Sequence, residues 1–341
     1  MNYVIILAGG VGSRFWPLSR ELEPKQFLNI CSKKPMLDEC LSRIKGLFPK
    51  ENIFIATNKA HRKKLNACLK RYNLPNKNIF LEPEGKNTLA PIAFLSKKIN
   101  ESDPDASILV LPCDHFVRDK RKFLKLLKKG LEVSKQGQIV TFGFPPKRPE
   151  TGYGYIKVKS KKKDFYSIEK FLEKPDLARA KELIKDKHYY WNGGLFIFKP
   201  SVMLGEVKKF KPEAYKALQI KKNFKRLWRS LPSISVDYAV MEKTKKAVLM
   251  VADYGWLDLG SWQSMEEILK KDKSGNIFKG NCLDLGSKNT LVWSEGQLVA
   301  TLGLKNMVIV ATKDAILAAA KDKTQEVKKI VQILRNKKSG K

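Results

Sequence analysis

The run Leu7-Ala8-Gly9-Gly10-Val11-Gly12-Ser13-Arg14 places three glycines and a guanidinium directly after an apolar stretch. Glycine lets the backbone approach a phosphate closely and aim its N–H groups at it. Arg14 supplies charge inside the loop, and Glu23-Pro24-Lys25-Gln26-Phe27 brings an ammonium soon after. A guanidinium and an ammonium converging on such a loop suit a triphosphate whose charge grows in the transition state. Residue type excludes three better-known glycine loops. A Walker A loop needs Lys and then Ser or Thr after its last glycine, whereas Gly12 precedes Ser13-Arg14. A dinucleotide fingerprint wants Gly or Ala where Phe15 stands, and an acidic residue where Ala56-Thr57-Asn58 ends the second strand. A kinase loop needs V-A-I-K and H-R-D companions, which do not occur.

Further residues have chemical potential but an ordinary alternative beside it. Asp114 follows an apolar run and could cap the next helix. Glu173 and Lys174 could serve a ligand or form a surface pair worth little to stability. Asn192 could be a ligand contact or a turn former. Asp237 and His115 receive no role. Three histidines and five cysteines show no metal-ligand spacing, so zinc is not expected.

These residues need a scaffold, and the first 145 residues supply an alternating one. Strand-like runs at Val4–Leu7, Asn52–Thr57, Ile79–Leu81, Ser107–Leu111 and Gln138–Phe142 are separated by helix-period stretches. Met36–Phe48 is one such stretch, and Phe123, Leu127 and Leu131 mark another. Thr88 is read as the cap of a helix from Leu89 to about Ile99, with Pro91 in its first turn. Alternation of this kind predicts an α/β fold whose sheet is mainly parallel, with ligands at the carboxyl ends of its strands. Strands are predicted at Tyr153–Val158, Phe165–Leu172 and Leu195–Phe198, and helices at Leu177–Ile184 and Ser201–Phe210. After Lys270 come short strands at Cys282–Leu285, Thr290–Trp293, Leu298–Leu302 and Met307–Ala311, then a helix from about Asp322 to Leu334. The division predicted is a catalytic domain over 1–270 and a small β-rich domain over 271–341 ending in a helix. No internal repeat is convincing, and the basic tail Asn336–Lys341 is expected to fray.

Composition narrows the class. Hydrophobic residues make up 43% of the 341, so a core can be buried and wholesale disorder is excluded. Lys and Arg number 67 against 34 Asp and Glu, a net charge of +33 that would attract phosphates, nucleotides or nucleic acid. The lysines are scattered, as on solvated helix faces, so no specific nucleic-acid binding is expected. No apolar run approaches the roughly 20 residues that cross a bilayer, so no membrane association is expected. The N-terminus lacks a signal-peptide pattern, and an odd number of scattered cysteines fits reduced thiols in the cytoplasm.

Taken together, Trp16-Pro17-Leu18-Ser19-Arg20 and Pro24-Lys25-Gln26-Phe27 resemble the sugar-phosphate nucleotidylyltransferases, in particular their mannose-1-phosphate guanylyltransferase branch. Seven further segments agree in order over roughly residues 3–265. They are Glu82-Pro83-Glu84-Gly85-Lys86-Asn87-Thr88, Leu111-Pro112-Cys113-Asp114-His115, Thr151-Gly152-Tyr153-Gly154-Tyr155-Ile156 and Phe171-Leu172-Glu173-Lys174-Pro175, followed by Tyr190-Trp191-Asn192-Gly193-Gly194, Ser235-Val236-Asp237-Tyr238 and Trp256-Leu257-Asp258-Leu259-Gly260-Ser261-Trp262. The chain departs from the family pattern at Cys113, usually Ala, and at Gly193, usually Ser; neither position is assigned to catalysis.

The resemblance implies a Rossmann-like nucleotidyltransferase domain with a mixed, mainly parallel sheet. It implies GTP and mannose 1-phosphate as substrates and GDP-mannose and pyrophosphate as products. The reaction would be a single in-line attack on the α-phosphorus, assisted by Mg²⁺. Arg14 and Lys25 would be catalytic, with Ala8, Gly9, Gly10 and Gly12 cradling the phosphates. Glu82, Pro83, Asn87 and Thr88 would form the base pocket, and Asp114 would also touch the nucleotide. Gly154, Glu173, Lys174 and Asn192 would hold the sugar phosphate, and Asp114 and Asp258 the metal. A homodimer through the C-terminal domain is a further expectation. The same chemistry on another nucleotide or hexose 1-phosphate is the nearest alternative. A non-catalytic nucleotide- or nucleic-acid-binding protein is a weaker one, because every charged residue needed for turnover is present. Isomerase activity is not expected, since the region after Lys270 is short and no histidine follows His188.

Overall fold

The computed structural model describes residues 1–221 and 223–339. Spatial contacts group them into two compact units. One comprises Met1–Gly9, Leu41–Cys113 and Val117–Trp256; the other comprises Gly10–Cys40, Asp114–Phe116 and Leu257–Lys341. No helix among the described residues is long and apolar enough to cross a membrane.

In chain order the strands begin with β1 (Asn2–Leu7), β2 (Ile53–Asn58), β3 (Ile79–Glu82), β4 (Ser107–Pro112), β5 (His115–Val117) and β6 (Ile139–Phe144). They continue with β7 (Tyr155–Lys161), β8 (Tyr166–Leu172), β9 (Tyr189–Phe198), β10 (Ala247–Val251) and β11 (Trp256–Asp258). The helices of this part are α1 (Met36–Ile44), α2 (Arg62–Leu69), α3 (Leu89–Ser102) and α4 (Lys120–Ser134), then α5 (Leu177–Leu183), α6 (Pro200–Phe210), α7 (Pro212–Leu218) and α8 (Phe224–Ser230).

The first unit is organised by a nine-stranded sheet of order β3-β2-β1-β4-β9-β6-β10-β8-β7. Val4, Ile5 and Ile6 of β1 are fully buried, as expected of a strand with neighbours on both sides and covered faces. The strands β3-β2-β1-β4 pair in parallel, as the alternation predicts. The other half differs, because β9 runs antiparallel to β4, β6 and β7. The strand β9 is also longer than the predicted Leu195–Phe198 and absorbs the Trp191-Asn192-Gly193-Gly194 segment. Gly193 imitates a turn in sequence but serves packing, whereas Gly194 has a left-handed φ of 65°. A Cβ on Gly193 would lie 2.7 Å from the Phe144 ring.

The spacing of α4 buries Phe123, Leu127 and Leu131 on one face. Its cap is Asp119, whose carboxylate accepts the Lys122 N–H at 3.0 Å, so Asp114 is not the cap of this helix. At α3 the expected cap differs too. Thr88 occupies the N-cap position, but its hydroxyl makes no cap hydrogen bond and accepts the Val236 N–H at 2.9 Å instead.

The second unit holds the glycine loop and a coil of short strands, β12 (Ile277–Lys279), β13 (Cys282–Leu285), β14 (Leu291–Ser294), β15 (Val299–Leu302), β16 (Met307–Ala311) and β17 (Ile316–Ala320). Successive turns stack in parallel, β12 on β14 on β16 and β13 on β15, as a short β-helix. An internal repeat is therefore present, correcting the sequence expectation. Asn289 donates to Asn306, seventeen residues on, at 2.6 Å. Both have positive φ, as do Gly286 and Gly303 three residues before each. The repeat resides in left-handed turn positions, Leu285-Gly286-Ser287-Lys288-Asn289 against Leu302-Gly303-Leu304-Lys305-Asn306, and only weakly in apolar periodicity. The predicted closing helix becomes a tight turn over Lys321–Glu326 followed by an α-helix, α9 (Val327–Ser339). Phe15, Leu18, Trp262, Trp293, Val308 and Val327 share one buried cluster. Phe15 thus ties the glycine loop to the core of this unit.

Candidate active site

Two polar centres form, one in each unit. In the second unit, Gly12 takes a left-handed conformation at φ 70°. A Cβ there would lie 2.5 Å from the Lys25 Cβ, so only glycine allows Lys25 to pack beneath the loop. Lys25 is 3% exposed. Its ammonium donates to Asp114 Oδ2 at 3.0 Å and to the Leu259 carbonyl. Burial opposes the Asp114 charge, but the Lys25 ammonium and His115 outweigh it and hold the carboxyl below its usual range. Asp114 immediately precedes β5 and Asp258 ends β11; these two short strands pair, and both residues line one cavity. Arg14 donates from Nη1 to the Gly260 carbonyl at 3.5 Å, and its Nε has no partner among the described residues.

A cavity of 290 Å³ is lined by Gly12, Ser13, Arg14, Lys25, Asp114, Asp258 and also Lys328. From Gly10 to Arg14 no backbone N–H has a protein acceptor among the described residues. Such groups, beside a guanidinium and an ammonium, make a cradle for a phosphate chain. Ala8, expected in the cradle, has backbone partners within the sheet. Its N–H donates to the Ala56 carbonyl at 2.8 Å and its own carbonyl accepts the Thr57 hydroxyl, because Ala8 still follows the edge of β1. Lys328 was missed in the sequence because it lies far from every motif.

Asp114 and Asp258 fit a Mg²⁺ ion in donor chemistry. Mg²⁺ takes one or two carboxylates and completes its shell with phosphate oxygens and water. No cluster of three or more acidic, His or Cys side chains suited to a metal occurs among the described residues. The ion would therefore depend on the substrate phosphates for the rest of its coordination.

The other centre is built on β7, β8 and β9 of the first unit. Asn192, on β9, donates its backbone N–H to the Gly154 carbonyl at 2.8 Å. Its side-chain oxygen accepts Thr141 Oγ1 at 3.0 Å and the Gly194 N–H at 3.1 Å, and its amide donates to Asp237 Oδ1 at 3.0 Å. Three protein partners fix this amide, so Asn192 is no simple turn former. Lys174 pairs with Glu173 at 2.5 Å. The other Glu173 oxygen, Oε2, is buried without a partner. A Cβ on Gly154 would lie 2.5 Å from that oxygen. Gly154, Glu173, Lys174 and Asn192 are thus brought together, and Asp237 joins them. Burial, then the Glu173 charge, push the Asp237 carboxyl up to about 7, with Lys174 opposing.

Of the expected base segment, Glu82 is 5% exposed and ends β3. A Cβ on Gly9 would lie 3.3 Å from its Oε1. Burial raises the Glu82 carboxyl to about 7 despite a hydrogen bond from the Lys86 backbone. Pro83 and Asn87 are exposed, and Asn87 Oδ1 accepts the Thr88 N–H at 2.9 Å. Lys86 ties the segment down by donating to the Arg229 and Leu231 carbonyls at 2.9 and 2.8 Å.

Comparison with known proteins identifies the family of the chain. The pattern of the Nucleotidyl transferase family matches residues 3–275, and that of a MannoseP isomerase/GMP-like beta-helix domain matches residues 280–334. The chain is 41% identical over 352 residues to mannose-1-phosphate guanylyltransferase 2 of Escherichia coli O157:H7, spanning 97% of this chain and 73% of the relative. It is 40% identical to mannose-1-phosphate guanylyltransferase of Salmonella muenchen, with the same coverage. A crystal structure from Thermus thermophilus, described as mannose-1-phosphate geranyltransferase, superposes with a TM-score of 0.89 at 33% identity, over 98% of this chain and 99% of that one. The chain belongs to the nucleotidyl transferase family.

Proposed function

We propose that the chain is a mannose-1-phosphate guanylyltransferase that joins GTP and mannose 1-phosphate into GDP-mannose and releases pyrophosphate. The observation that carries this is the meeting of Arg14, Lys25, Asp114 and Asp258 around one cavity beneath a glycine loop with unspent N–H groups. The names of relatives about 40% identical over 97% of the chain support the same reaction.

The chemistry is an in-line displacement. A sugar-phosphate oxygen attacks the α-phosphorus of GTP, that bond forms, and the bond to the β-phosphate oxygen breaks. No general base is needed, because the attacking phosphate is already anionic near neutral pH. The protein's work is positioning and neutralisation of charge. Arg14, Lys25 and the loop N–H groups would hold the triphosphate. Glu82, Pro83, Asn87 and Thr88 would flank the base, and Gly154, Glu173, Asn192 and Lys174 would receive the sugar phosphate. Mg²⁺, held by Asp114 and Asp258, would supply Lewis-acid neutralisation of the phosphates. The cytoplasm, with its nucleoside triphosphates and reducing conditions, suits this reaction and five cysteines that form no disulfide among the described residues.

Pyrophosphate release measured with each of four nucleoside triphosphates against several sugar 1-phosphates tests the reading. GTP with mannose 1-phosphate should give the highest kcat/KM. Faster turnover of UTP or dTTP with glucose 1-phosphate would overturn it. A homodimer through the C-terminal strands belongs to the same proposal, supported by the exposed Leu283, Leu285 and Leu302 on β13 and β15. Light scattering that returns a monomer mass at micromolar concentration would remove it.

A further inference from the structure

The residue of the phosphate cavity that no motif announces is Lys328. It belongs to the first turn of α9, close to the end of the chain, whereas Arg14 and Lys25 lie near its beginning. Its position is held from both sides. Val327, next to it, is 2% exposed and shares a buried cluster with Phe15, Leu259 and Trp262. Gln325 donates to the Ser261 hydroxyl at 3.4 Å, tying the turn before the helix to the segment that carries Asp258. The helix itself packs on Ser13–Phe15, the continuation of the glycine loop.

The charges around Lys328 separate it from its neighbours. Lys329 pairs with Glu326 at 2.8 Å and Lys323 pairs with the same carboxylate at 3.6 Å. Among the described residues Lys328 has no carboxylate partner, and it is the one of the three that lines the cavity. A first-turn position also adds the positive end of the helix dipole to its charge. Lys25 lies deep in the cavity and is already paired with Asp114, whereas Lys328 is exposed at the rim.

We propose that Lys328 is a phosphate ligand of this site, reaching from the C-terminal helix to the two outer phosphates of the nucleotide, which leave as pyrophosphate. The C-terminal region then completes the phosphate site as well as packing against the loop that forms it. This rests on the nucleotidyl-transfer reading, but pyrophosphate binding tests it without a sugar or a particular base.

The experiment measures pyrophosphate affinity by calorimetry and GTP kinetics on the full chain, in wild type, Lys328→Ala, Lys328→Arg and Lys329→Ala. Lys328→Ala should weaken pyrophosphate binding and raise the GTP KM about tenfold, as loss of a charge-assisted contact at a partly solvated site does. The KM for mannose 1-phosphate should not move. Lys328→Arg should recover most of the loss, and Lys329→Ala, which removes the same charge from the same helix, should match wild type. Equal pyrophosphate affinity in Lys328→Ala and Lys329→Ala would overturn the proposal. A wild type that binds pyrophosphate through Lys328 yet transfers no guanylyl group would instead count against the proposed substrates alone.

Discussion

Asn192 gives its side-chain amide to the Asp237 carboxylate at 3.0 Å, which orients a residue of one sequence motif by a residue of another, 45 positions away. The other side of the same amide is held by Thr141 and Gly194. Asp237 therefore positions Asn192 within the centre proposed to receive the sugar phosphate. Asp237→Ala should raise the KM for the sugar phosphate about tenfold and leave the GTP KM unchanged. Asp237→Asn, which keeps an acceptor oxygen, should lose less. Equal effects on both KM values in steady-state kinetics would point to a general loss of structure instead.

Lys25 and Arg14 face the cavity where phosphate charge would develop. Removing one donor aimed at transition-state charge costs about 10²–10³ in rate. Lys25→Ala and Arg14→Ala should each lose that much turnover with the fold retained by circular dichroism. Near-normal rates in both would reduce the loop to a turn.

Gly12 combines a left-handed φ of 70° with a Cβ position 2.5 Å from the Lys25 Cβ. Gly12→Ala should cost about 1–2 kcal/mol from the backbone alone. It should also push Lys25 away from Asp114 and depress turnover at least as far as Lys25→Ala does. A thermal melt and a turnover assay on the variant check both effects.

Asp114 and Asp258 are predicted to act through Mg²⁺. Asp114→Asn and Asp258→Asn should remain folded, lose most activity, and need more Mg²⁺ for what remains. The Asp119 cap of α4 is untouched by either change, so a cap-loss explanation is excluded in advance. Full activity of the wild type in EDTA would remove both carboxylates from the mechanism.

Glu82 sets a pH dependence of stability. Its folded carboxyl sits near 7, above the ordinary value of 4.5, chiefly because burial disfavours the charge. The folded state thus binds the proton more tightly than the unfolded chain. Its contribution is fully present below about 4.5 and is lost as pH rises through about 7. Glu82→Gln should flatten that part of the stability profile measured by denaturant titration between those limits. An unchanged slope would show that Glu82 ionises freely.

Local chemistry in the chain already determined which residue types could serve a nucleotide, because glycine loops and paired charges act through neighbours in sequence. Arg14 and Lys25 were legible in this way, Asp114 and Asp258 were expected from the family resemblance, and the parallel half of the sheet was legible from the alternation of strands and helices. Tertiary structure decided the rest. The Ala8 N–H and carbonyl pair with Ala56 and Thr57, partners across a sheet that are not written beside it in the chain. Thr88 looks like a cap but holds Val236, and Trp191-Asn192-Gly193-Gly194 looks like a turn but lies in a central strand. The β-helix repeat escaped notice because left-handed turn residues, rather than hydrophobic period, set its coil. Lys328 carries no motif at all, being one lysine among many, and the packing of α9 beside the glycine loop brings it to the cavity. A residue's type is local information, but its partner is chosen by the fold, where burial and charge are settled between atoms distant in the chain.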